Sequence, residues 1–402
     1  MLNSFRHKAS DFYGIDIGEA ERKDRVASKE TVQEMAVLRA ISILAVLMVH
    51  ATSSAVSAET GSSYFGLFSF LNSISMFCVP AFIFLTSFVL FYNYYEQPFT
   101  AKNMMTFFKK RFTYILIPYV MISLFYFVYR QVTVDPNLDI GDAALAFAGK
   151  LSNGTAYFHL YYVFIGIQLY LLFPFLLLLF QKRPHLAKWA IPIGFAVQWA
   201  FYAANRYIFL LSSKGSVSLT YFAPFLLGAF VGIYFDKMKG WLILDRGHWR
   251  SGKGYASIAL WIVWLGSAAG FSGMWYVTRV TGEWYESVWY EAGYNVFTFS
   301  SILVMTQISF LVLKWVSPAF QKLIIDLASL SFGVYLIHPF FLMIYKLYPP
   351  DFNPLWEYPL WIAGGYGVSL GCSLLVLLAA YRTVKGAWIL FGKVPAKFHG
   401  QH

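Results

Sequence analysis

One apolar stretch of the sequence carries an arginine and a histidine whose spacing suits joint chemistry. The stretch is VLRAISILAVLMVHATSSAV, residues 37–56, and it places Arg39 and His50 eleven positions apart. In a helix this spacing is about three turns, so the two side chains share a face within roughly 20° and lie about 16 Å apart along the axis. If the helix crosses a hydrocarbon core of about 30 Å, Arg39 lies near one boundary and His50 near the middle.

His50 is the first candidate for a catalytic group. An imidazole exchanges protons near neutral pH and can act as a general base. Ionisable groups within membrane spans are functional candidates by default. The alternatives are that Arg39 extends its charged end to the interface and that His50 is a hydrogen-bonding partner between helices.

A second candidate cluster is basic. In FFKKRFTYILIPY, residues 107–119, Lys109, Lys110 and Arg111 stand at the start of another apolar stretch. Such a cluster can bind the phosphates of an anionic cofactor that arrives from the cytosol. Composition alone favours the other interpretation, an ordinary positively charged anchor at the cytoplasmic end of a span.

Two further histidines lie in or beside apolar stretches. His159 begins HLYYVFIGIQLYLLFPF, and His338 lies within SLSFGVYLIHPFFLMIY. Pro339 follows His338, and a proline inside a helix predicts a kink that frees backbone groups beside the histidine. We expect His338 and His159 to bind substrate. The alternative for His159 is an ordinary polar residue at the membrane interface.

An outer loop near residues 278–291 is rich in aromatic side chains and carries two glutamates. The rings could stack on sugars and the carboxylates could bond sugar hydroxyls, but an aromatic belt at the membrane interface explains the rings equally well. The residues concerned are Trp284, Tyr285, Trp289, Tyr290, Glu283 and Glu286.

Several familiar catalytic signatures are absent from the sequence. It has no convincing GxSxG elbow, no Walker A loop and no HExxH pair. It also lacks a dense cluster of His, Cys and carboxylate residues, so we expect no metal site. Without support for a covalent Ser or Cys intermediate, direct transfer assisted by a base is the simplest chemistry.

The elements that must position these residues are membrane helices. Of 402 residues, 58% are hydrophobic and only 13% charged, whereas a soluble protein has about 25% charged residues. We therefore predict an all-α, polytopic membrane protein with about ten transmembrane helices. The expected spans lie near residues 36–56, 67–92, 112–131, 160–180, 186–205, 217–235, 255–277, 291–313, 323–346 and 358–381.

The basic residues predict the orientation. With ten spans and a cytoplasmic N-terminus, 24 of the 31 Lys and Arg residues fall in cytoplasmic loops and tails and 6 on the other side, Arg39 being left aside. This asymmetry follows the positive-inside rule, so we expect both termini in the cytoplasm.

Three segments follow along the chain. Residues 1–35 are a polar cytoplasmic segment, 36–385 the transmembrane domain, and 386–402 a basic cytoplasmic tail. Val56-Ser57-Ala58 resembles a signal-peptidase site, but the polar lead is too long for a signal peptide, so we expect no cleavage. Both cysteines, Cys78 and Cys372, lie in apolar segments, which argues against a disulfide framework.

The sequence resembles the acyltransferase-3 family of membrane acyltransferases. Arg39 with ten intervening residues before His50, and Lys109 with one residue before Arg111, are similar to that family's signatures. HLYYVFIGIQLYLLFPF and SFGVYLIHP resemble its later helices, and the resemblance covers about residues 34–385. RFTYILIPY and SFGVYLIHPFFL are most similar to the branch that contains the intercellular polysaccharide adhesin membrane protein.

The resemblance implies transfer of an acyl group, usually acetyl, from cytoplasmic acyl-CoA to a hydroxyl of a cell-surface polymer or lipid-linked glycan. His50 would be the base and Arg39 its partner, while Lys109 and Arg111 would engage the CoA phosphates. We expect acyl-CoA as a donor substrate and no permanently bound cofactor. The expected partners are the lipid bilayer and a glycan, with no nucleic acid, and the expected location is the cell membrane. The family's common EEQFY stretch is GIQLY here, which removes the acidic pair that a carboxylate-assisted step would use.

Two other functions remain open at this point. The first is a non-enzymatic exporter or flippase of a surface polysaccharide or lipid-linked sugar, since the branch that the sequence resembles has been assigned export as well as modification. The absence of a visible internal repeat weakens a repeat-built transporter. The second, a sensor or scaffold, has least support because short loops leave little surface for partner domains.

Overall fold

The described part of the chain is helical. A computed structural model describes residues 32–58, 62–134, 140–245, 247–351 and 356–395, and no strand occurs within them. Residues 1–31 of the predicted N-terminal segment and 396–402 of the predicted tail lie outside the described residues. The all-α prediction is therefore confirmed.

The α-helices are numbered in chain order. They are α1 (Gln33–Ala58), α2 (Phe65–Ile74), α3 (Cys78–Tyr94), α4 (Ala101–Arg111), α5 (Ile117–Val134), α6 (Ile140–Asn153), α7 (Tyr161–Lys182), α8 (Pro184–Lys188), α9 (Ala190–Ala204), α10 (Phe222–Ile233), α11 (Phe235–Leu242), α12 (Gly252–Thr281), α13 (Ser287–Trp315), α14 (Pro318–Lys346), α15 (Glu357–Thr383) and α16 (Trp388–Phe391).

Eight helices of the described residues are long and apolar enough to cross a membrane. A ninth span results if the pair Ser218–Ile233 and Phe235–Leu242, bent by 99°, counts as one. The remaining predicted span, residues 186–205, corresponds to α9, whose 15 residues are fewer than the roughly 20 that cross a bilayer. The polytopic architecture is thus confirmed with eight or nine spans among the described residues, and the cytoplasmic location of both termini stays a prediction.

Helix α1 lies in the interior of the bundle. It packs against α2, α3, α13, α14 and α15, and Leu38, Ile43 and Leu47 are almost completely buried. Because neighbours surround α1, the side chains of Arg39 and His50 are held inside the protein rather than against lipid. Both are only half-buried, so each borders open space.

Two glycines permit a close contact between α10 and α3. Gly228 and Gly232 of α10 are four residues apart and face α3. A Cβ atom at Gly228 would collide with the carbonyl of Phe84, and one at Gly232 would lie 2.8 Å from the carbonyl of Phe88. Small residues at this spacing let membrane helices approach closely and gain van der Waals contact.

The amphipathic helix α4 carries the basic cluster to the edge of the bundle. Thr100 caps its start by accepting a hydrogen bond, 3.2 Å long, from the Asn103 amide. Lys109, Lys110 and Arg111 form its last turn, where cations interact favourably with the helix dipole. A π-helical turn, Phe112–Leu116, then joins α4 to α5. Such π turns are rare and are frequent at functional sites.

Candidate active site

Three histidines that are far apart in the sequence meet in one cluster. His50 comes from α1, His159 from the turn before α7, and His338 from α14. The ring of His338 lies 5.3 Å from that of His50 and 5.8 Å from that of His159, measured between centroids. His159 and His338 are buried, whereas His50 is half-buried. The fold thus brings together three of the predicted site residues.

Pro339 determines which ring nitrogen of His338 carries the hydrogen. Proline has no amide N–H, so the carbonyl four residues earlier, that of Tyr335, loses its helical donor. The Nδ1 atom of His338 replaces it, at 2.9 Å from the Tyr335 oxygen and 3.1 Å from the Val334 oxygen. A carbonyl only accepts, so Nδ1 donates and Nε2 presents a lone pair. That Nε2 atom is buried and has no hydrogen-bond partner in the part of the chain that the structure describes.

His159 is fixed in a similar way. Its Nε2 atom lies 3.3 Å from the carbonyl oxygen of Leu336, which also accepts a hydrogen bond from the Tyr126 hydroxyl at 3.1 Å. The Tyr335 hydroxyl donates to the backbone carbonyl of His159. Nε2 of His159 therefore donates, and Nδ1 is left as a buried acceptor that no described residue contacts by a hydrogen bond.

The cluster is suited to receive hydroxyl groups. A buried acceptor that lacks a hydrogen bond costs about 1–3 kcal/mol, and two such acceptors, on His159 and His338, lie beside His50. The Phe158 ring, 55% exposed, lies 5.0 Å from the His50 ring and gives the cluster an apolar, accessible edge. A ligand with several O–H donors would satisfy the unpaired nitrogens and reach the third imidazole.

A cavity of about 170 Å³ opens beside Arg39. Arg111 also lines it, so two guanidinium groups from α1 and α4 border the same space. None of the other lining side chains is acidic. They are Phe82, Leu85, Thr86, Val89, Ile115, Tyr162, Tyr170, Ser331 and Phe332. Two cations without a carboxylate, together with hydroxyl groups, make a site for an anion such as a phosphate.

Aromatic rings hold Arg111 in the cavity wall. Its guanidinium lies 4.9 Å from the ring centroid of Tyr170 and 5.5 Å from that of Phe107, which are cation–π distances. Its Nε atom is buried without a hydrogen-bond partner. Lys109 and Lys110 are exposed on the same turn and do not line the cavity.

Two tyrosines join the arginine cavity to the histidine cluster. Tyr162 lines the cavity and packs against Tyr335 at 5.2 Å between ring centroids. Tyr335 in turn lies 5.3 Å from the His159 ring and 6.0 Å from the His338 ring. Sequence reasoning missed both tyrosines. The sequence does carry a signal for them: Tyr162 lies three residues after His159 and Tyr335 three residues before His338, and in a helix this spacing is about one turn.

An arginine network supports α1 beside His50. Arg279 of α12 donates to the Ser69 hydroxyl at 3.0 Å and to the Asn72 side-chain oxygen at 2.7 Å. The Asn72 amide then donates, at 3.0 Å each, to the Val49 carbonyl and the Thr52 hydroxyl, which flank His50 in the chain. This network also escaped sequence reasoning, because it joins three helices.

Three of the four aromatic residues singled out in the loop near 278–291, Trp284, Tyr285 and Tyr290, contact one another. Trp284 and Tyr290 pack on one another and on Trp275, with centroid distances of 5.2–5.9 Å. Trp289 is 63% exposed. Glu286 lies 3.9 Å from Arg206, and within the described residues no group of His, Cys, Asp or Glu is arranged to hold a metal ion.

Comparison with known proteins identifies most of this chain. A family model described as an acyltransferase domain matches residues 32–378, which include the three histidines and both cavity arginines. Neither the curated proteins nor the solved structures gave a significant match.

Proposed function

Since the chain belongs to the acyltransferase-3 family, a family of membrane acyltransferases, we propose that it moves an acyl group, typically acetyl, from cytoplasmic acyl-CoA to a hydroxyl of a glycan. The glycan is a cell-surface polymer or a lipid-linked precursor. The observation that carries this proposal is that one helix, α1, contributes to both the arginine cavity and the histidine cluster. A donor and an acceptor bound at these two places meet inside the bundle.

The donor is assigned to the arginine cavity. In the orientation predicted from the basic residues, Arg111 lies at the cytoplasmic end of its span. Arg39 and Arg111 would bond CoA phosphates, and their planar forks suit phosphate oxygens better than an ammonium does. Lys109 is exposed on the same turn, so it would attract the anionic donor by long-range charge rather than by contact.

The acceptor is assigned to the histidine cluster. A sugar offers several hydroxyl groups, and the lone pairs of His338 Nε2 and His159 Nδ1 can each accept one of them. The half-buried His50 would take the proton of the hydroxyl that reacts. Phe158 offers an apolar face on which a sugar ring can pack.

The proposed reaction is a direct transfer. The acceptor oxygen gives its proton to His50 and attacks the thioester carbonyl carbon, so that a C–O bond forms and the carbonyl oxygen becomes negative. The intermediate then collapses, the C–S bond breaks, and the CoA thiolate takes the proton from the imidazolium. Arg39 lies about 16 Å from His50 along the helix, so the extended arm of CoA would bridge the two groups.

The experiment that tests the proposal follows label from donor to glycan. Membranes that contain the protein, given acetyl-CoA labelled in the acetyl group, should label a glycan fraction, and His50→Ala should abolish the labelling. Full transfer by the His50→Ala protein would exclude the mechanism. Deletion of the gene should leave the glycan exported but without acyl groups; a glycan retained inside the cell would favour the exporter.

A further inference from the structure

A lysine from the end of α14 lies directly beside His50. The Nζ atom of Lys346 is 3.1 Å from the backbone carbonyl oxygen of His50 and 3.3 Å from the hydroxyl oxygen of Ser53. The Ser53 hydroxyl itself donates to the same carbonyl at 2.8 Å. The ammonium is thus held against the backbone of the proposed base.

Lys346 has no partner of opposite charge among the described residues. Its side chain is half-buried, and within the described residues it forms no ion pair with a carboxylate. A cation removed from water without a counter-charge is costly, because neutral oxygens replace only part of its hydration. Two of its three N–H donors contact neutral oxygens, which leaves one for an anion.

The proposed transfer creates an anion at this place. When the acceptor oxygen attacks the thioester, negative charge develops on the carbonyl oxygen, and preorganised donors at that position lower the barrier. The imidazoles beside His50 are not free to donate: the ring N–H groups of His159 and His338 are occupied by backbone carbonyls. Arg39 is about 16 Å away along the helix.

We propose that Lys346 is a catalytic residue whose ammonium stabilises the oxyanion formed when the acceptor attacks the acyl-CoA carbonyl; the inference rests on the proposed function. The third N–H of Lys346 points its charge at the developing oxyanion while His50 holds the acceptor proton. When the C–S bond breaks, the carbonyl re-forms and the ammonium returns to its contacts with His50 and Ser53. The lysine remains protonated throughout.

The test measures steady-state transfer by purified, detergent-solubilised protein. The donor is labelled acetyl-CoA, and the acceptor is the glycan fraction of cells that lack the gene. Lys346→Ala should lower kcat on the order of 10²–10³-fold, the usual effect of removing one oxyanion donor, with the KM of each substrate within about threefold of wild type. Lys346→Arg should keep more activity because it keeps the charge. Lys322→Met, an exposed lysine on the same helix, is the matched control and should match wild type.

Chemical rescue separates catalysis from structure. Methylammonium added to Lys346→Ala should restore part of kcat, at least tenfold over the unrescued variant, since a small cation can enter the vacated space. An increase in acceptor KM with unchanged kcat would overturn the inference and make Lys346 an acceptor-binding group. A structural role would be indicated if Lys346→Ala failed to fold, if Lys346→Arg had the same low activity as Lys346→Ala, and if methylammonium restored nothing. That combination would overturn the inference. If wild-type protein moves no label, the proposed function fails, and this inference with it.

Discussion

The imidazole of His338 lies 5.3 Å from that of His50, centroid to centroid, and its Nε2 atom is buried without a hydrogen-bond partner. The cause is the following residue. Pro339 has no amide N–H, so the carbonyl of Tyr335 lacks its helical donor. This carbonyl accepts a hydrogen bond from Nδ1 of His338 instead, and Nε2 is left as an acceptor. The missing amide of Pro339 therefore leaves Nε2 of His338 able to accept a hydrogen bond from a ligand.

Replacement of Pro339 should change the activity without loss of the fold. In Pro339→Ala, a new amide can bond the Tyr335 carbonyl, which releases Nδ1 of His338 and allows the ring to exchange its tautomer. We expect the kcat of transfer to fall about tenfold, which corresponds to a loss of about 1.4 kcal/mol of transition-state stabilisation. The melting temperature in detergent should stay equal or rise. Measurement of kcat beside a melting curve checks both.

Pro174 supplies the matched control for that prediction. It also lies inside a membrane helix, α7, and is buried, but the residue before it is Phe173 rather than a histidine. Pro174→Ala should leave kcat within about twofold of wild type. Equal losses in the two variants would show that the effect is a general response of proline-containing helices, and the tautomer argument would then be wrong.

Arg111 and Lys109 should differ in their effect on the donor, although the sequence suggests the same role for both. Arg111 lines the cavity with Arg39, whereas Lys109 is exposed. Arg111→Met should raise the KM for acyl-CoA about 10–100-fold, the loss of roughly 1.4–3 kcal/mol from a charge-assisted bond. Lys109→Met should raise it less than about threefold, with an effect that vanishes as salt screens the charge.

Titration of CoA into the two variants at low and high ionic strength measures this difference directly. Arg111→Lys is the informative third variant, because it keeps the charge but loses the planar fork and the stacking on Tyr170. Equal CoA affinities of Arg111→Met and Lys109→Met would remove the cavity from consideration as the donor site.

Local regularities made part of the site predictable. The spacing of Arg39 and His50 is a property of a single helix, so the helical period alone put both on one face. His338 and His159 were nominated one by one, because an ionisable group in an apolar stretch is unusual. Their meeting with His50 depends on how α1, α7 and α14 pack, and sequence pattern carries no information on contacts between residues that are far apart in the chain.

The same reason explains what was missed. In the sequence, Lys346 is a basic residue at the end of the predicted span 323–346, and only the packing of α14 against α1 places it on the His50 carbonyl. The apolar stretch at 186–205 does not form one long helix for a local reason: hydropathy counts apolar residues but does not detect where a helix breaks. The apolar stretch at 186–205 is divided at Trp189 and continues into a π turn at Asn205.

Removal of Asn72 should weaken the support of α1 beside His50. Asn72→Ala deletes hydrogen bonds to the Val49 carbonyl and the Thr52 hydroxyl, and it leaves the Arg279 guanidinium short of an acceptor. We expect a loss of about 1–3 kcal/mol in stability, since one nitrogen of the Arg279 guanidinium loses its acceptor in a partly buried place while another keeps the Ser69 oxygens. Asn93→Ala is the control, because Asn93 is exposed and bonds only within its own helix. The melting temperatures of both variants, measured in the same detergent, test this prediction. Equal melting temperatures would contradict it.

The contact between α10 and α3 should tolerate added side-chain volume poorly. A side chain at Gly228 would meet the backbone of Phe84 and Phe88 rather than a flexible side chain, so the helices must separate. Gly228→Val should therefore cost more than the about 1–3 kcal/mol typical of overpacking, measured as loss of folded protein on size-exclusion chromatography and a lower melting temperature. At Gly270 of α12 an added Cβ meets nothing within 4 Å, so Gly270→Val should melt within a few degrees of wild type. If both variants melt together, the close approach of these helices does not limit stability.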